Sequence, residues 1–318
     1  MDPVLSVAAA LASLAATYLF LPWLIRSLHG TSAMGKDLNK PHKPLVPEMG
    51  GLAVILGFSL GVVVLVLFGA GATNDAFYFA ALAAILGAGV VGLLDDMFRI
   101  RNRTKALLPF LLALPLGVAV YSAGDRSLLG FDLGVGIVFA VALGVTSAGN
   151  AANMLEGLNG LGSGLAVIIT TTLIVLSILE QADEGLFLLF PLLGALLAFL
   201  WFNRYPARVF PGDSMTLFSG AAIASAAIIS SPPLKTVGAF LFLPMILEFI
   251  LKARGRFRAE NYGRPDAQGR LMWDGRIESL SHAIMRWRPL KEWQIVAILW
   301  GIEASVCAVA LVLVVAGL

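Results

Sequence analysis

Ten runs of apolar residues, each close to the length that crosses a hydrocarbon layer, divide this chain: 3–26, 49–69, 76–94, 105–121, 132–149, 164–179, 185–202, 216–230, 234–251 and 293–317. A bilayer interior offers no water to the backbone, so runs of this kind satisfy their own hydrogen bonds as helices. The expected fold is all-α: a polytopic membrane protein with about ten transmembrane helices in one bundle. Composition agrees, since 58% of the 318 residues are apolar and 13% charged, against roughly a quarter charged in soluble domains. The first run follows Asp2 rather than a basic segment and is long enough to span, so it is read as a helix of the bundle and not as a cleaved signal. Cys307 is the one cysteine and lies inside an apolar run, which excludes a disulfide framework and a cysteine-based zinc site.

Alternate connections of a ten-helix chain share a side, and the cations are divided very unevenly between the two sides. Arg126 and Lys235 fall on one side and the other 20 of the 22 Lys and Arg residues on the other. The positive-inside rule makes the second side cytoplasmic and turns both termini outward. The outward connections, 70–75, 122–131, 180–184 and 231–233, are short and read as turns. Every unusual polar stretch lies on the inward side, so the chemistry belongs at the cytoplasmic face. No internal repeat or low-complexity linker divides the chain. Residues 1–318 therefore form one integral-membrane domain, with an extended cytoplasmic loop at 252–291.

Among the inward stretches, residues 92–105 place Asp95 and Asp96 at the end of an apolar run, with Arg99, Arg101, Arg103 and Lys105 following. Adjacent carboxylates in a poorly solvated place call for a divalent cation, a base or water, and the cations suit phosphate. A solvated charged loop that fixes topology accounts for the same residues equally well. The segment Asn150 to Gly160 carries three further candidates, Asn153, Glu156 and Asn159, at membrane depth, where polar groups belong in a wet cavity or in a plain Asn/Gly turn. In Phe210-Pro211-Gly212-Asp213-Ser214, Asp213 and Ser214 suit the cap of the next helix, the alternative being a metal carboxylate. Hard oxygen ligands favour magnesium over zinc, and His29, His42 and His282 lack ligand spacing and read as surface or interfacial residues. Glu248 is placed about a turn from its helix end, facing the same cavity, and Glu303 is expected to pair within the bundle. Trp23, Trp201, Trp293 and Trp300 read as belt or packing residues.

In this order, KDLNK with VPEMGG, GLLDDMFRIRNRTKALLP, NAANMLEGLNGL, NRYPARVFPGDS and a basic loop before the last helix resemble the polyprenyl-phosphate N-acetylhexosamine-1-phosphate transferases. The likeness is greatest to the dolichyl-phosphate N-acetylglucosamine-1-phosphate transferases of the eukaryotic and archaeal branch. The resemblance implies attack of a lipid phosphate on the β-phosphate of a UDP-N-acetylhexosamine, giving lipid-diphosphate sugar and UMP. It implies a magnesium requirement, with manganese as substitute, and a place in the cell membrane of an archaeon or bacterium or in the endoplasmic reticulum. Carried over by position, Asp95 and Asp96 handle the lipid phosphate, Lys105 holds the diphosphate, and Asn153 and Asp213 ligate the metal. Glu48 and Asn159 match the nucleotide end, and Arg256 and Arg258 match loop arginines that contact the sugar diphosphate. Phe257 stands where the family commonly has a histidine, and Glu156, counted among the substrate-binding residues, resembles the acid of bacterial relatives. No histidine-rich cluster is present, which argues against a MurNAc-pentapeptide donor.

The rival readings are an undecaprenyl-phosphate sugar-1-phosphate transferase for wall or surface polysaccharide, a secondary transporter, and an inactive scaffold of the same fold. A transporter would place its acids at mid-membrane in repeated halves. Here they gather at one face, with Glu303 the exception. Expected partners are the UDP-sugar, the polyprenyl phosphate and the bilayer, without nucleic acid. A homodimer through lipid-facing helices is compatible with the sequence and has no motif behind it.

Overall fold

Each of the ten apolar runs folds as helix, as the bilayer argument requires. The structure is a computed structural model that describes residues 2–69, 75–128 and 130–317. In chain order the helices are α1 (Pro3–Leu28), α2 (Gly51–Leu67), α3 (Asp75–Phe98), α4 (Asn102–Ser122), α5 (Ile137–Leu155), α6 (Leu161–Leu179), α7 (Leu186–Asn203), α8 (Gly212–Ile229), α9 (Pro232–Phe240), α10 (Leu243–Arg254), α11 (Leu280–Trp287) and α12 (Glu292–Val315). Among the described residues eight of these, α1, α3 to α8 and α12, are long and apolar enough to cross a membrane.

The remaining two runs depart from simple spans. Residues 234–251 form a broken element in which α9 and α10 meet at an angle of 48°. Pro244 opens α10 and has no N–H to carry the helical ladder across the break. The 17-residue α2, at 1.5 Å per residue, rises about 25 Å, short of a hydrocarbon core of about 30 Å. The chain is thus a multi-pass membrane protein, with eight such spans among the described residues, or nine with the bent pair counted as one. Ten is the number of apolar elements.

Helix α8 is the axis of the bundle. It is apolar or small all round, as a helix enclosed by others must be, and packs along α3, α5, α2 and α7. Around it α1 lies on α2 and α7, α4 joins α3 to α5, and α12 rests on α6 at the periphery. Outward-facing Leu19, Phe79, Phe139 and Val312 stay exposed, as lipid-facing residues do, and Trp23, Trp201 and Trp293 are half-exposed. Trp300 packs instead, donating from Nε1 to the Leu161 carbonyl at 3.3 Å.

Short antiparallel pieces decorate the ends, an addition to the all-α expectation. Strands β1 (Met34–Lys36) and β2 (Leu45–Pro47) pair with Met34 opposite Pro47, and β3 (Ser127–Leu128) pairs with β4 (Phe131–Asp132). Strands β5 (Arg264–Pro265), β6 (Arg270–Met272) and β7 (Leu290–Lys291) form a sheet that runs directly into α12. The connections at 29–50, 99–101, 156–160, 204–211 and 255–291 converge at one end of the bundle. At the other end lies the β3–β4 pair, and Asp125 pairs with Lys235. The turn read at 70–75 lies outside the described residues except for its last residue.

Candidate active site

The site begins with the close approach of α3 to the N-terminus of α8. A Cβ on Gly92 would come within 2.6 Å of the Ser214 Cα, so glycine is what lets the two backbones meet. Gly212 opens α8 with φ +68°, a left-handed conformation that glycine adopts without strain. The first N–H groups of a helix lack intrahelical partners. Asp96 supplies them from the neighbouring helix, its carboxylate accepting from Asp213 N at 2.6 Å, Ser214 N at 3.1 Å and Ser214 Oγ at 2.7 Å. This corrects the reading of Asp213 and Ser214 as the cap of their own helix. The cap comes from Asp96, and the Asp213 carboxylate is released for other use.

That carboxylate is the meeting point of the site. One oxygen pairs with the Lys105 ammonium, and the other accepts from Asn153 Nδ2 at 2.5 Å. Lys105 also lies 3.0 Å from Asp95 Oδ2, and Asn153 Nδ2 donates to Thr216 Oγ1 at 2.9 Å. Asp95, Asp96, Lys105, Asn153 and Asp213, spread over 118 residues of sequence, are therefore brought together. Magnesium takes one or two carboxylates and completes its octahedron with water and substrate phosphate oxygens. Asp213 and Asn153 fit that habit: a half-turn of the Asn153 amide presents its oxygen, and the Lys105 ammonium marks a cation's place against Asp213. Among the described residues no three His, Cys, Asp or Glu side chains form a closed metal cage.

Asn153 and Asp213 open on a polar cavity of about 310 Å³, which Glu48, Glu156 and Asn159 also line. Glu48 is set there by a zipper between two connections, with Phe210 N donating to Pro47 O at 2.8 Å and Gly50 N to Phe210 O at 3.0 Å. Burial, with the Asp96 carboxylate adding, pushes the Glu48 pKa up against the pull of Arg99. Burial likewise pushes Glu156 up to about 7, opposed by the backbone N–H groups of Gly157 and Gly162. Several lining residues carry no sequence assignment of their own: Asp37 and Asn39 of the first connection, and Asn261 and Tyr262 of the last. Asn261 Nδ2 donates to the carbonyls of Met154 at 2.8 Å and Glu156 at 2.7 Å, clamping the α5–α6 turn. Burial and the carboxylates of Glu260, Glu156, Glu48 and Asp37 push Tyr262 to about 12, which keeps its phenol protonated. The clustering of KDLNK with NYG around one cavity is a tertiary fact that neither peptide announces.

Other expected residues lie elsewhere. Arg256 and Arg258 are exposed on the loop after α10. Arg258 lines a shallow opening that adjoins the cavity through Leu38, Ala259, Glu260 and Tyr262, and Arg256 lines neither space. Glu248 does not face the cavity. It is fully buried and accepts from Leu280 N at 2.8 Å and Ser279 Oγ at 3.1 Å, anchoring the start of α11. His282 is not a surface residue either: it is buried, its ring stacked on Trp273 with centroids 3.7 Å apart. Glu303 meets Cys307 Sγ at 3.6 Å inside the bundle.

Residues 78–231, from α3 to the end of α8, match the family Glycosyl transferase family 4. A Saccharolobus solfataricus protein named "Putative UDP-N-acetylglucosamine--dolichyl-phosphate N-acetylglucosaminephosphotransferase" is 38% identical over 308 residues, which cover 93% of each chain. A Dictyostelium discoideum UDP-N-acetylglucosamine--dolichyl-phosphate N-acetylglucosaminephosphotransferase is 30% identical over 280 residues, 74% of this chain and 68% of its own. A Corynebacterium urealyticum phospho-N-acetylmuramoyl-pentapeptide-transferase is 30% identical over 298 residues, 76% of this chain and 81% of its own.

Proposed function

The chain belongs to glycosyl transferase family 4, and from that premise we propose that it transfers N-acetylglucosamine 1-phosphate from UDP-N-acetylglucosamine to a dolichyl-type polyprenyl phosphate. The products are the lipid-diphosphate sugar and UMP. One observation carries the reading: Lys105 ties Asp95 to Asp213 beside Asn153 at the mouth of a polar cavity, an arrangement suited to phosphates.

A phosphate oxygen of the lipid attacks the β-phosphorus of the donor, and the bond from that phosphorus to the UMP oxygen breaks. A phosphate monoester with a second pKa near 6 is already largely ionised at neutral pH, so the nucleophile needs charge screening more than a base. Lys105 supplies a fixed positive charge where the donor diphosphate and the lipid phosphate meet. Asp96 fills the N-terminus of α8, which would otherwise be an anion site. The donor phosphates are thereby left to Lys105 and to the metal. Magnesium, held by Asp213 and Asn153, would neutralise diphosphate charge and the leaving UMP. Glu48, Asn159 and Tyr262 line the cavity, and the nucleotide is assigned to their end of it. An apolar groove of about 350 Å³ between α5, α8 and the bent α9–α10 pair, bordered by Val141, Ala224 and Phe249, suits an isoprenoid chain. The cation distribution favours a cytoplasmic site with both termini outward.

The test incubates the purified protein with radiolabelled UDP-N-acetylglucosamine, dolichyl phosphate and magnesium and follows label into the organic phase. Transfer is expected, lost on chelation and reduced at least about 100-fold in Asp213→Ala. Folded protein that labels neither dolichyl nor undecaprenyl phosphate overturns the proposal.

A further inference from the structure

The stretch Lys36-Asp37-Leu38-Asn39-Lys40 is only partly absorbed by the site. Its first four residues line the polar cavity, and Lys40 stands behind them. The Lys40 ammonium pairs with Glu292, lies 3.1 Å from Asp37 Oδ2, and sits 4.5 Å over the ring of Tyr205. Glu292, the first residue of α12, is 2% exposed and with its other oxygen accepts the backbone N–H of Asn159 at 2.7 Å. Asn159 Nδ2 donates in turn to Asp37 Oδ2 at 3.1 Å. The four residues close a ring across three elements, Lys40 and Glu292 being 252 positions apart.

A buried carboxylate is tolerated only with partners, because removing one partner leaves an uncompensated charge. An acid at the first position of α12 would serve the helix dipole just as well in solvent. Burial here answers to the ring, and two of the ring's members face the cavity. The same α5–α6 turn is tied again from Asn39, whose Nδ2 donates to Gly157 O at 2.8 Å. Among the described residues no bond joins the ring to Lys105, Asp95 or Asp213.

We propose that Lys40 and Glu292 are positioning residues for the donor end of the cavity. They fix Asp37, Asn159 and the α5–α6 turn, and thereby set affinity for the nucleotide sugar without entering the phosphate chemistry. The inference rests on the transferase reading for the identity of the donor, and the experiment separates the two.

In the full-length protein, Glu292→Ala removes the acceptor for Asn159 N–H and the partner of Lys40. Glu292→Gln keeps an acceptor oxygen and loses only the charge. Glu292→Ala is expected to raise KM for UDP-N-acetylglucosamine on the order of tenfold, with kcat and the KM for dolichyl phosphate within about twofold. Glu292→Gln recovers part of that loss, which a merely structural role would not do selectively. Amide hydrogen exchange over residues 156–160, read without substrate, rises in Glu292→Ala. Equal losses in donor and lipid KM, or unchanged exchange, overturn the inference even with an active enzyme. A wild-type chain that transfers nothing, with exchange still raised in the variant, overturns the transferase reading and supports the ring.

Discussion

At one end of the polar cavity Asp95 and Asp213 share a single ammonium, Lys105, and at the other Asp37 and Glu292 share a single ammonium, Lys40. The formal charge of the two groups is the same, yet they are built for different work. Around Lys40 each carboxylate has its remaining capacity filled from within the chain, by Asn159 N, Asn159 Nδ2 and Asn39 N, and the two side chains are 4% and 2% exposed. Around Lys105 the carboxylates are 16% and 24% exposed, and that of Asp213 opens on the cavity. Inventory and net charge do not tell a site from a frame. What separates them is whether the hydrogen-bonding capacity is already spent on the protein or left facing a space that a ligand can enter.

The largest effect that would break this contrast is expected at Lys105. Lys105→Ala removes the cation paired with Asp213 at the edge of the space assigned to the diphosphate. It should lower kcat/KM for the donor by roughly 10²- to 10³-fold, about 3–4 kcal/mol of transition-state stabilisation. Retention of dolichyl phosphate, measured by binding of the labelled lipid, should change little. If donor affinity and turnover stayed intact and only thermal stability fell, Lys105 would be a frame charge like Lys40.

A second prediction concerns the turn between the two ends. Glu156 accepts from Gly162 N at 2.9 Å, and burial raises its carboxyl to about 7. A raised carboxyl contributes stability that is complete below the unfolded value near 4.5 and is lost as pH climbs through the folded value. The Glu156 contribution should fall across that window by up to about 1.4 kcal/mol per pH unit, so the stability of Glu156→Gln should decline less steeply there than that of the wild type. Melting temperatures of the pair between pH 5 and pH 8, on the order of the window just given, check this directly. Parallel curves would mean that Glu156 is solvated and belongs to the open part of the cavity.

Much of this molecule is written locally in its sequence, and the rest is not. Apolar runs become helices because a bilayer leaves no alternative, so all ten appear as helix, and the single 14-residue stretch holding Asp95, Asp96 and Lys105 advertises its charge. The break between α9 and α10 follows from Pro244, a signal present in the sequence but weak against an otherwise continuous apolar run. Pairings across the fold are different in kind. Nothing near Asp96 says that it caps a helix 117 residues away, and nothing near Glu248 says that it holds Leu280 instead of facing the cavity. Glu292 reads as an ordinary acid at a helix start until Lys40 is brought to it. His282 looked superficial because a lone histidine carries no periodic context, and only tertiary stacking on Trp273 buries it.

The smallest expected effect tests the one residue of the phosphate end that behaves like the frame. Both Asp96 oxygens are engaged by the first turn of α8, so its part in the site is to hold that helix end where Asp213 meets Lys105. Removing a helix cap typically costs about 1 kcal/mol, within a range of roughly 0.5–2. Asp96→Ala should therefore lower thermal stability in detergent by that amount, and Asp96→Asn, which keeps an acceptor oxygen, should recover most of it. Asp95→Ala removes no cap and relieves a carboxylate that Lys105 must otherwise balance, so it should leave stability nearly unchanged. If instead Asp95→Ala were the more destabilising of the two, the Lys105 cluster would be held together by its own ion pairs. The contrast between an open end and a closed one would then fail at the place where it is drawn most finely.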